Sequence, residues 1–318
     1  MFDVFEKVKE YKSIAISAHE RPDGDAIGSC LGLYFYLKKR LPDTKISVLL
    51  DKTDDCFSIV PGIEEIIADY DENLIFDVYI VLDSEPARIG KFIDTFNKSK
   101  FTINVDHHKS NLGNICNLEY IVPEASSASE LVYEIINKEY LDSTISQCIY
   151  IGIAHDTGIF RFSNVSPKTL RIAGELLEFK FDFSHLLDIT YFEKTYIQNV
   201  LQAKVVSESK LYLDGLLIVG IADMNLILHN NANKSDFDGC VNQLLLTKGV
   251  HAAVFIYETE KDKYKCSMRA CSDLIDVSQI CEKFGGGGHV RASGCEFIGK
   301  LETFLDEIIK YVGEQIDG

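Results

Sequence analysis

Four short stretches of this 318-residue chain carry carboxylates, three of them beside imidazoles: HERPDGD (19–25), VLDS (81–84), VDHHKSN (105–111) and AHDTG (154–158). Carboxylate oxygens and imidazole nitrogens are the donors that hard and borderline divalent cations accept. Each residue also has an ordinary role open to it. An aspartate after a strand commonly forms a turn or caps a helix, and Asp25 stands close enough to a helical stretch to do so. A single histidine is commonly a satisfied structural group. Brought to one place, however, the groups of all four stretches would crowd like charges and disfavour their own ionised forms. A pair of divalent cations relieves that crowding. A nitrogen and oxygen donor set without cysteine suits manganese, magnesium or a similar ion better than a thiolate zinc site.

Whether these groups meet depends on the elements that carry them. SIAISAH (13–19), KISVLL (45–50), VYIVLDS (78–84) and FTINVDH (101–107) read as short strands. DAIGSCLGLYFYLKKR (25–40) reads as a helix, PGIEEIIADY (61–70) as a helical piece, and a further helix runs from Ser127 through Lys138. QCIYIGIAHDTG (147–158) mixes helical and loop character and stays unresolved. β-Branched and aromatic runs separated by helices predict βαβ units on a parallel sheet. Sites in such sheets form beyond the carboxyl ends of the strands, near the point where strand order reverses. His19, Asp23 and Asp25 then stand at and just after the end of the first strand, and Asp83 at the end of another. Asp106, His107 and His108 stand at the end of a third, and Asp156 joins from a glycine-flanked loop.

The composition, 46% hydrophobic and 25% charged, is that of an ordinary globular protein. The length exceeds one typical core and predicts two domains. No apolar run reaches the roughly 18 residues that span a bilayer. The first residues mix acids with lysines and lead directly into a strand, which speaks against a signal peptide. Nine cysteines, an odd number without a CxxC pair, read as free thiols in a reducing cytoplasm. The 32 Lys+Arg against 49 Asp+Glu give a net charge of −17, and no basic stripe is present to track long nucleic acid. A short anionic substrate held by a few local charges is compatible with that balance.

HERPDGDAIGS, VLDS, VDHHKSN and GIAHDTGIF resemble, in this order, the four motifs of the DHH phosphoesterases, a family named after the triplet that stands here at 106–108. The resemblance implies one metal held by His19, Asp23 and Asp83, and a second held by Asp25, Asp83, His107 and Asp156, with Asp83 shared. His108 would face the scissile phosphate or support the ligands, and Asp106 would orient His107. His108, Asp83 and Asp106 are thus the expected catalytic set, while His155 matches no family role and reads as structural. The implied chemistry is phosphoester hydrolysis by water activated between two divalent ions about 3.5–4 Å apart, Mn2+ first and Mg2+ or Co2+ as alternatives. It needs no serine or cysteine nucleophile.

The second half opens on a helical connector, FDFSHLLDITYFEKTYIQNVLQAKVV (181–206), and continues with strands in LYLDGLLIVGIA, VHAAVFIYET and KYKCSMRA. In FGGGGHVRASGCEF the glycines make either a plain turn or a loop whose N–H groups approach an anion. The polar His289, Arg291 and Ser293 beside them favour the anion. The stretch resembles the DHH-associated C-terminal domain, with Gly286, Gly287, Gly288 and His289 followed by Ala292 and Gly294; Ser293 is a mild departure. By that resemblance Gly287, Gly288, His289 and Arg269 bind the far end of the substrate, a task that suits a guanidinium. Arg88 in EPARIG matches a similar pattern but equally suits a surface ion pair.

The expected architecture is α/β in two domains: a parallel-sheet catalytic domain over 1–185, a connector over 186–204, and a smaller α/β substrate-binding domain over 205–318 that faces the first across a cleft. The implied function is hydrolysis of short oligoribonucleotides, pApA or 3′-phosphoadenosine 5′-phosphate (pAp), as in the compact bacterial branch of the family. That branch has no OB-like domain and no membrane or sensory region before the first motif. A cyclic-dinucleotide phosphodiesterase is the alternative, and a polyphosphate or pyrophosphate hydrolase a weaker one. Partners would be short oligoribonucleotides or small nucleotides, with no membrane and no long nucleic acid. Whether two copies pair as a homodimer is left open.

Overall fold

The apolar runs around Ile14 and Ile80 have no polar face, and both become central strands covered on either side. The computed structural model describes residues 3–272 and 274–317 and falls into two units, Met1–Glu193 and Lys194–Gly318. The first unit carries six strands, β1 (Ser13–Ser17), β2 (Lys45–Leu49), β3 (Ile66–Ile67), β4 (Val78–Leu82), β5 (Phe101–Asp106) and β6 (Leu118–Ile121). They pair in parallel in the order β3-β2-β1-β4-β5-β6. Strand order reverses between β1 and β4, where doubly wound sheets build their sites. Ser17 pairs with Val81 and Leu82 with Val105, so the three chains leave the sheet nearly level with one another.

One sheet face, with Ile16, Ile80 and Val105, packs on helices α1 (Gly24–Arg40), α2 (Ala128–Ile135) and α3 (Ser143–Asp156). The other, with Ala15, Tyr79 and Val81, packs on Ile89, Phe92 and Phe96. The stretch that the sequence left unresolved belongs to α3. That helix is buried on nearly every side, so its apolar residues show no helical period. It packs closely on α1. A Cβ at Gly28 would collide with the Cys148 carbonyl oxygen and lie 2.8 Å from Gly152 N, and one at Gly152 would collide with Ser129 Oγ and lie 2.7 Å from Asp25 Oδ1.

Two expectations fail locally. PGIEEIIADY is not helical: Gly62, at φ 80°, starts a single 3-10 turn over Ile63–Glu65, and the β-branched Ile66 and Ile67 then pair with the edge of β2. The helix expected to reach Lys138 stops at Ile135, because Ile136 turns extended and Asn137 caps a separate 3-10 turn, Lys138–Tyr140.

The second unit holds another six-stranded sheet: β7 (Lys210–Tyr212), β8 (Leu217–Ala222), β9 (Ala252–Glu260), β10 (Lys263–Ala270), β11 (Gly287–His289) and β12 (Ala292–Ile298). Their order is β11-β12-β10-β9-β8-β7, with β8 and β9 parallel and the other neighbours antiparallel. Helices Tyr196–Glu208 and Cys240–Leu245 pack on one face, and Val277–Glu282 and Leu301–Asp317 on the other. The expected connector is not one helix. Phe183–Leu187 runs into a π turn, Asp188–Phe192, and a capping box of Thr195 and Gln198 starts a new helix at Tyr196.

Gly28→Ala should cost about 1–3 kcal/mol of unfolding free energy, because backbone of α3 occupies the space the methyl needs. Gly174→Ala, in helix Pro167–Leu177 with nothing within 4 Å of the added carbon, should gain up to about 1 kcal/mol. Urea denaturation of both variants beside the parent checks this; a neutral Gly28→Ala would mean the helices do not pack so closely.

Candidate metal centre

The loop after β1 is tied to the turn after β4 by Glu20 N–H, which donates to the Arg88 carbonyl at 2.9 Å. His19 Nδ1 donates to the Glu20 carbonyl at 2.8 Å, which directs Nε2 at carboxylates and makes it the nitrogen that would give up its proton to a cation. The N-cap of α1 is Asp23, not Asp25: its Oδ1 accepts from Asp25 N (3.0 Å) and Ala26 N (3.1 Å). Asp25 is buried in the first turn and faces α2, where Ala128 N–H (2.6 Å) and Ser129 N–H (2.9 Å) donate to its two oxygens. These are first-turn N–H groups of α2 that no helical carbonyl can satisfy, and their dipole favours an anion.

Asp83 follows β4 in the left-handed region, at φ 55°, with its N–H donating to the Val105 carbonyl at 3.1 Å. Its two oxygens diverge: Oδ2 lies 3.4 Å from His19 Nε2 and Oδ1 lies 3.3 Å from His107 Nε2. His19 Nε2 is also 3.8 Å from Asp23 Oδ1. His107 Nε2 is 3.6 Å from Asp156 Oδ2 and 4.0 Å from Asp25 Oδ2. Donor atoms of His19, Asp23 and Asp83 lie within 4.8 Å of one another, as do those of Asp25, His107 and Asp156 and those of Asp83, His107 and His108. His107 Nε2 is buried with no hydrogen-bond partner. A buried, unsatisfied imidazole nitrogen facing three carboxylates fits a cation between them.

Asp156 is the last residue of α3, not part of a loop. The next turn is strained, with Gly158, Ile159 and Phe160 all left-handed at φ 56°, 55° and 60°. Ile159 N–H to the Ala154 carbonyl (2.7 Å) and Phe160 N–H to Thr157 Oγ1 (3.1 Å) hold it. Asn164 Nδ2 reaches back to the Asp156 carbonyl (3.1 Å) and carboxylate (3.4 Å).

Asp106 orients the His108 ring, not that of His107. Its Oδ1 accepts from His108 Nδ1 at 2.8 Å, whereas His107 gives it only the backbone N–H, also at 2.8 Å. Its Oδ2 accepts from Asn111 Nδ2 at 2.7 Å, the same amide reaches Asn104 Oδ1 at 2.8 Å, and Asn104 Nδ2 donates to the Ser84 carbonyl at 2.8 Å. Asn104, Asn111 and Asn164 escaped the sequence reading. The one signal was a polar Asn104 inside an apolar strand. His155 is structural: it bonds Thr190 Oγ1 at 3.1 Å and packs on Phe57 and Tyr191, and burial pushes its pKa down to about 4.

The charges at the centre are strongly coupled. Burial works to lower both ligand-side histidines, but the Asp83 carboxylate overcomes it and brings His19 to about 9 and, with Asp25 and Asp156, His107 to about 10. Burial would raise Asp83, yet the facing imidazoles of His107 and His19 hold it well below the usual carboxylate range. Burial and the Asp83 charge push Asp25 up; burial, opposed by His107 and aided by Asp83, brings Asp156 to about 6. Without a cation, protons on the imidazoles do the compensating.

In the second unit, Arg269 on β10 pairs with Ala292 on β12, which pairs with His289 on β11. Directly opposed residues share a sheet face. Arg269 and His289 therefore stand in one row, two strand spacings or roughly 10 Å apart, on the face opposite buried Cys266 and Met268. Gly287 and Gly288 form an exposed edge strand with His289, not the expected phosphate-cradling loop. A Cβ at Gly286 would collide with the Gly294 carbonyl, so glycine here serves the closeness of the hairpin. Ser293 Oγ is tied to the His289 carbonyl at 2.8 Å, and Arg269 Nη1 to the Met268 carbonyl at 3.0 Å. Arg88 is exposed in the 3-10 turn Pro86–Arg88, and it makes no ion pair among the described residues.

The pH dependence of the metal-free protein follows from the two raised histidines. Their folded pKa values, about 9 and about 10, exceed the ordinary 6.5, so their contribution to stability is full below about pH 6.5 and is lost as pH rises through 9 and 10. Thermal melts without metal should give lower midpoints at about pH 9 than at about pH 6.5. Mn2+ should raise the midpoint and flatten or reverse that slope, because imidazole ligates only when deprotonated. A metal-free midpoint that rises across this window would contradict the assignment.

Residues 13–153 match the DHH family, N-terminal domain, and residues 216–314 match the DHHA1 domain. The chain is 29% identical over 309 residues to the bifunctional oligoribonuclease and PAP phosphatase NrnA of Thermus thermophilus, covering 95% of this chain and 90% of the relative. It is 28% identical over 298 residues to the protein of the same name from Bacillus subtilis, covering 92% and 91%. The crystal structure of an exopolyphosphatase-related protein from Bacteroides fragilis aligns with a TM-score of 0.89 at 28% identity, over 98% of this chain and 96% of that one. Its strand-end motifs, its sheet order and these two matched domains together place the chain in the DHH family.

Proposed function

We propose that the chain is a metal-dependent phosphoesterase that hydrolyses short oligoribonucleotides and the 3′-phosphate of pAp. The observation that carries this reading is the Asp83 carboxylate, which offers one oxygen toward each of two imidazoles that carry their own sets of acids. The relatives named oligoribonuclease and PAP phosphatase, matched over most of their length, support the substrate class. The net charge of −17 argues for short substrates.

His19, Asp23 and Asp83 would hold one divalent ion, and Asp25, Asp83, His107 and Asp156 the other, with Mn2+ the first candidate. When bound, the ions supply charge neutralisation at the phosphate and a more acidic water. The chain's own groups do the rest. Asp106 pins His108 through Nδ1, so Nε2 points away from Asp106 and stays free for a phosphate oxygen or a leaving group. That hydrogen bond to Asp106 also raises the His108 pKa, which keeps a proton on Nε2 available for donation. His108 is only partly buried, as a group that meets substrate must be. In the second unit, Arg269 would bind a phosphate or base, beside His289, Gly287 and Gly288; in the first unit, Arg88 would offer a further charge.

The reading is tested by offering pAp, pApA, a trinucleotide, a long RNA, a cyclic dinucleotide, pyrophosphate and polyphosphate to the purified protein with Mn2+. Turnover is expected for pAp, pApA and the trinucleotide. Activity confined to pyrophosphate or polyphosphate would overturn the substrate assignment. Asp83→Ala should fall to the uncatalysed rate on every substrate, since both halves of the centre lose a ligand; near-parental turnover would reject a shared carboxylate. Arg269→Ala should raise KM with a smaller change in kcat, the pattern of a binding contact made alike in ground and transition states. A loss confined to kcat would move Arg269 into the reacting centre.

A further inference from the structure

Asp25 and Asp156 approach His107 from two different helices, yet one short segment, 126–130, braces both. Ala128 and Ser129 hold Asp25 through their N–H groups, at 2.6 and 2.9 Å. The Ser126 carbonyl accepts from Asn164 Nδ2 at 2.9 Å, and the same amide holds the Asp156 carbonyl at 3.1 Å. Behind the segment stands Glu130, a carboxylate only 1% exposed and no part of the ligand set. Its Oε2 accepts from Ser126 Oγ (2.6 Å) and from Thr169 Oγ1 (2.7 Å), and its Oε1 lies 2.8 Å from Lys168 Nζ. Lys168 and Thr169 are in the first turn of helix Pro167–Leu177, four and five residues after Asn164. Glu130 therefore ties the start of α2, which carries the grip on Asp25, to the start of the helix that follows the grip on Asp156.

A buried carboxylate is costly unless its partners are complete, and removing one partner strands the other. The arrangement is well placed to repay that cost at the centre. Asp25 and Asp156 both bear negative charge toward one point and repel each other, so an unbraced pair would separate. We propose that buried Glu130 and its half-exposed partner Lys168, together with Asn164, position Asp25 and Asp156 at the spacing a single cation needs. They serve the His107 half of the centre and leave the His19–Asp23 half untouched. Glu130, Lys168 and Asn164 touch neither substrate nor cation; they act through Asp25 and Asp156. The inference rests on the two-ion reading above.

The test is a Mn2+ titration of the metal-free full-length chain, with free Mn2+ read by electron paramagnetic resonance and heat by calorimetry. The parent should bind two ions, and Asp156→Asn should identify the site on the His107 side by weakening it. Glu130→Gln, Lys168→Met and Asn164→Ala should each weaken that same site by about 10-fold or more, in the range seen when groups behind metal ligands are removed. The other site should keep its affinity, and Lys168→Arg should keep both. Glu130→Gln added to Asp156→Asn should cost nothing further, because the two act on one site. If Glu130→Gln fails to fold, Lys168→Met and Asn164→Ala carry the comparison, since neither side chain is fully buried. Unchanged affinities, or a fall of both sites in step with the melting temperature, would overturn the proposal and leave the cluster structural. A parent that binds no Mn2+ would overturn the two-ion reading itself, and this inference with it.

Discussion

Asp83 meets two demands at once. Its charge is buried, which costs several kcal/mol unless opposite charge or strong donors compensate it, and its backbone is held left-handed at φ 55°. Compensation comes from His19 and His107, one per oxygen. Those histidines leave the sheet from the strands on either side of β4, so the shared carboxylate requires β1, β4 and β5 to be neighbours with their ends aligned. The parallel order and the pairing of Ser17 with Val81 and Leu82 with Val105 meet that requirement. A one-residue slip would turn Asp83 to the other sheet face.

Around this pair of contacts the acids are held by backbone more than by side chains. Asp23 caps its own helix, Asp25 borrows the first N–H groups of another, and Asp156 ends a third against a left-handed turn. Helix termini supply fixed partial charges that need no conformational adjustment when a ligand arrives. The strain over Gly158–Phe160 belongs to the same economy of motion: a turn that bulky residues seldom adopt keeps the end of α3 from unwinding.

Much of this was legible in the sequence, for identifiable reasons. Buried parallel strands are continuous apolar runs, so β1, β4 and β5 could be placed, and with them the polar residues at their ends. Helix α3 was not legible because a helix buried all round carries no period. The partner of Asp106 was not legible either: two adjacent histidines look alike on paper, and only the turn of the backbone after β5 decides which ring comes within reach. The shape of the glycine run before His289 was not legible, because an edge hairpin and a loop share one composition. The asparagines at 104, 111 and 164 bond across irregular separations, from 5 to 38 residues, that match no helix or strand period.

Asp25 precedes Gly28 by three residues and Asp156 follows Gly152 by four, so each acid stands about one helical turn from the place where α1 and α3 meet backbone to backbone. That contact works as a ruler. Two cylinders that touch without side chains between them resist sliding and spreading, so the glycines set the distance between the helix backbones that carry the two acids, and the Glu130 brace works within that distance. Descendants of this chain can exchange an acid for another donor and keep the gauge. To change the gauge they must first give a glycine a side chain, and so move two helices of the core.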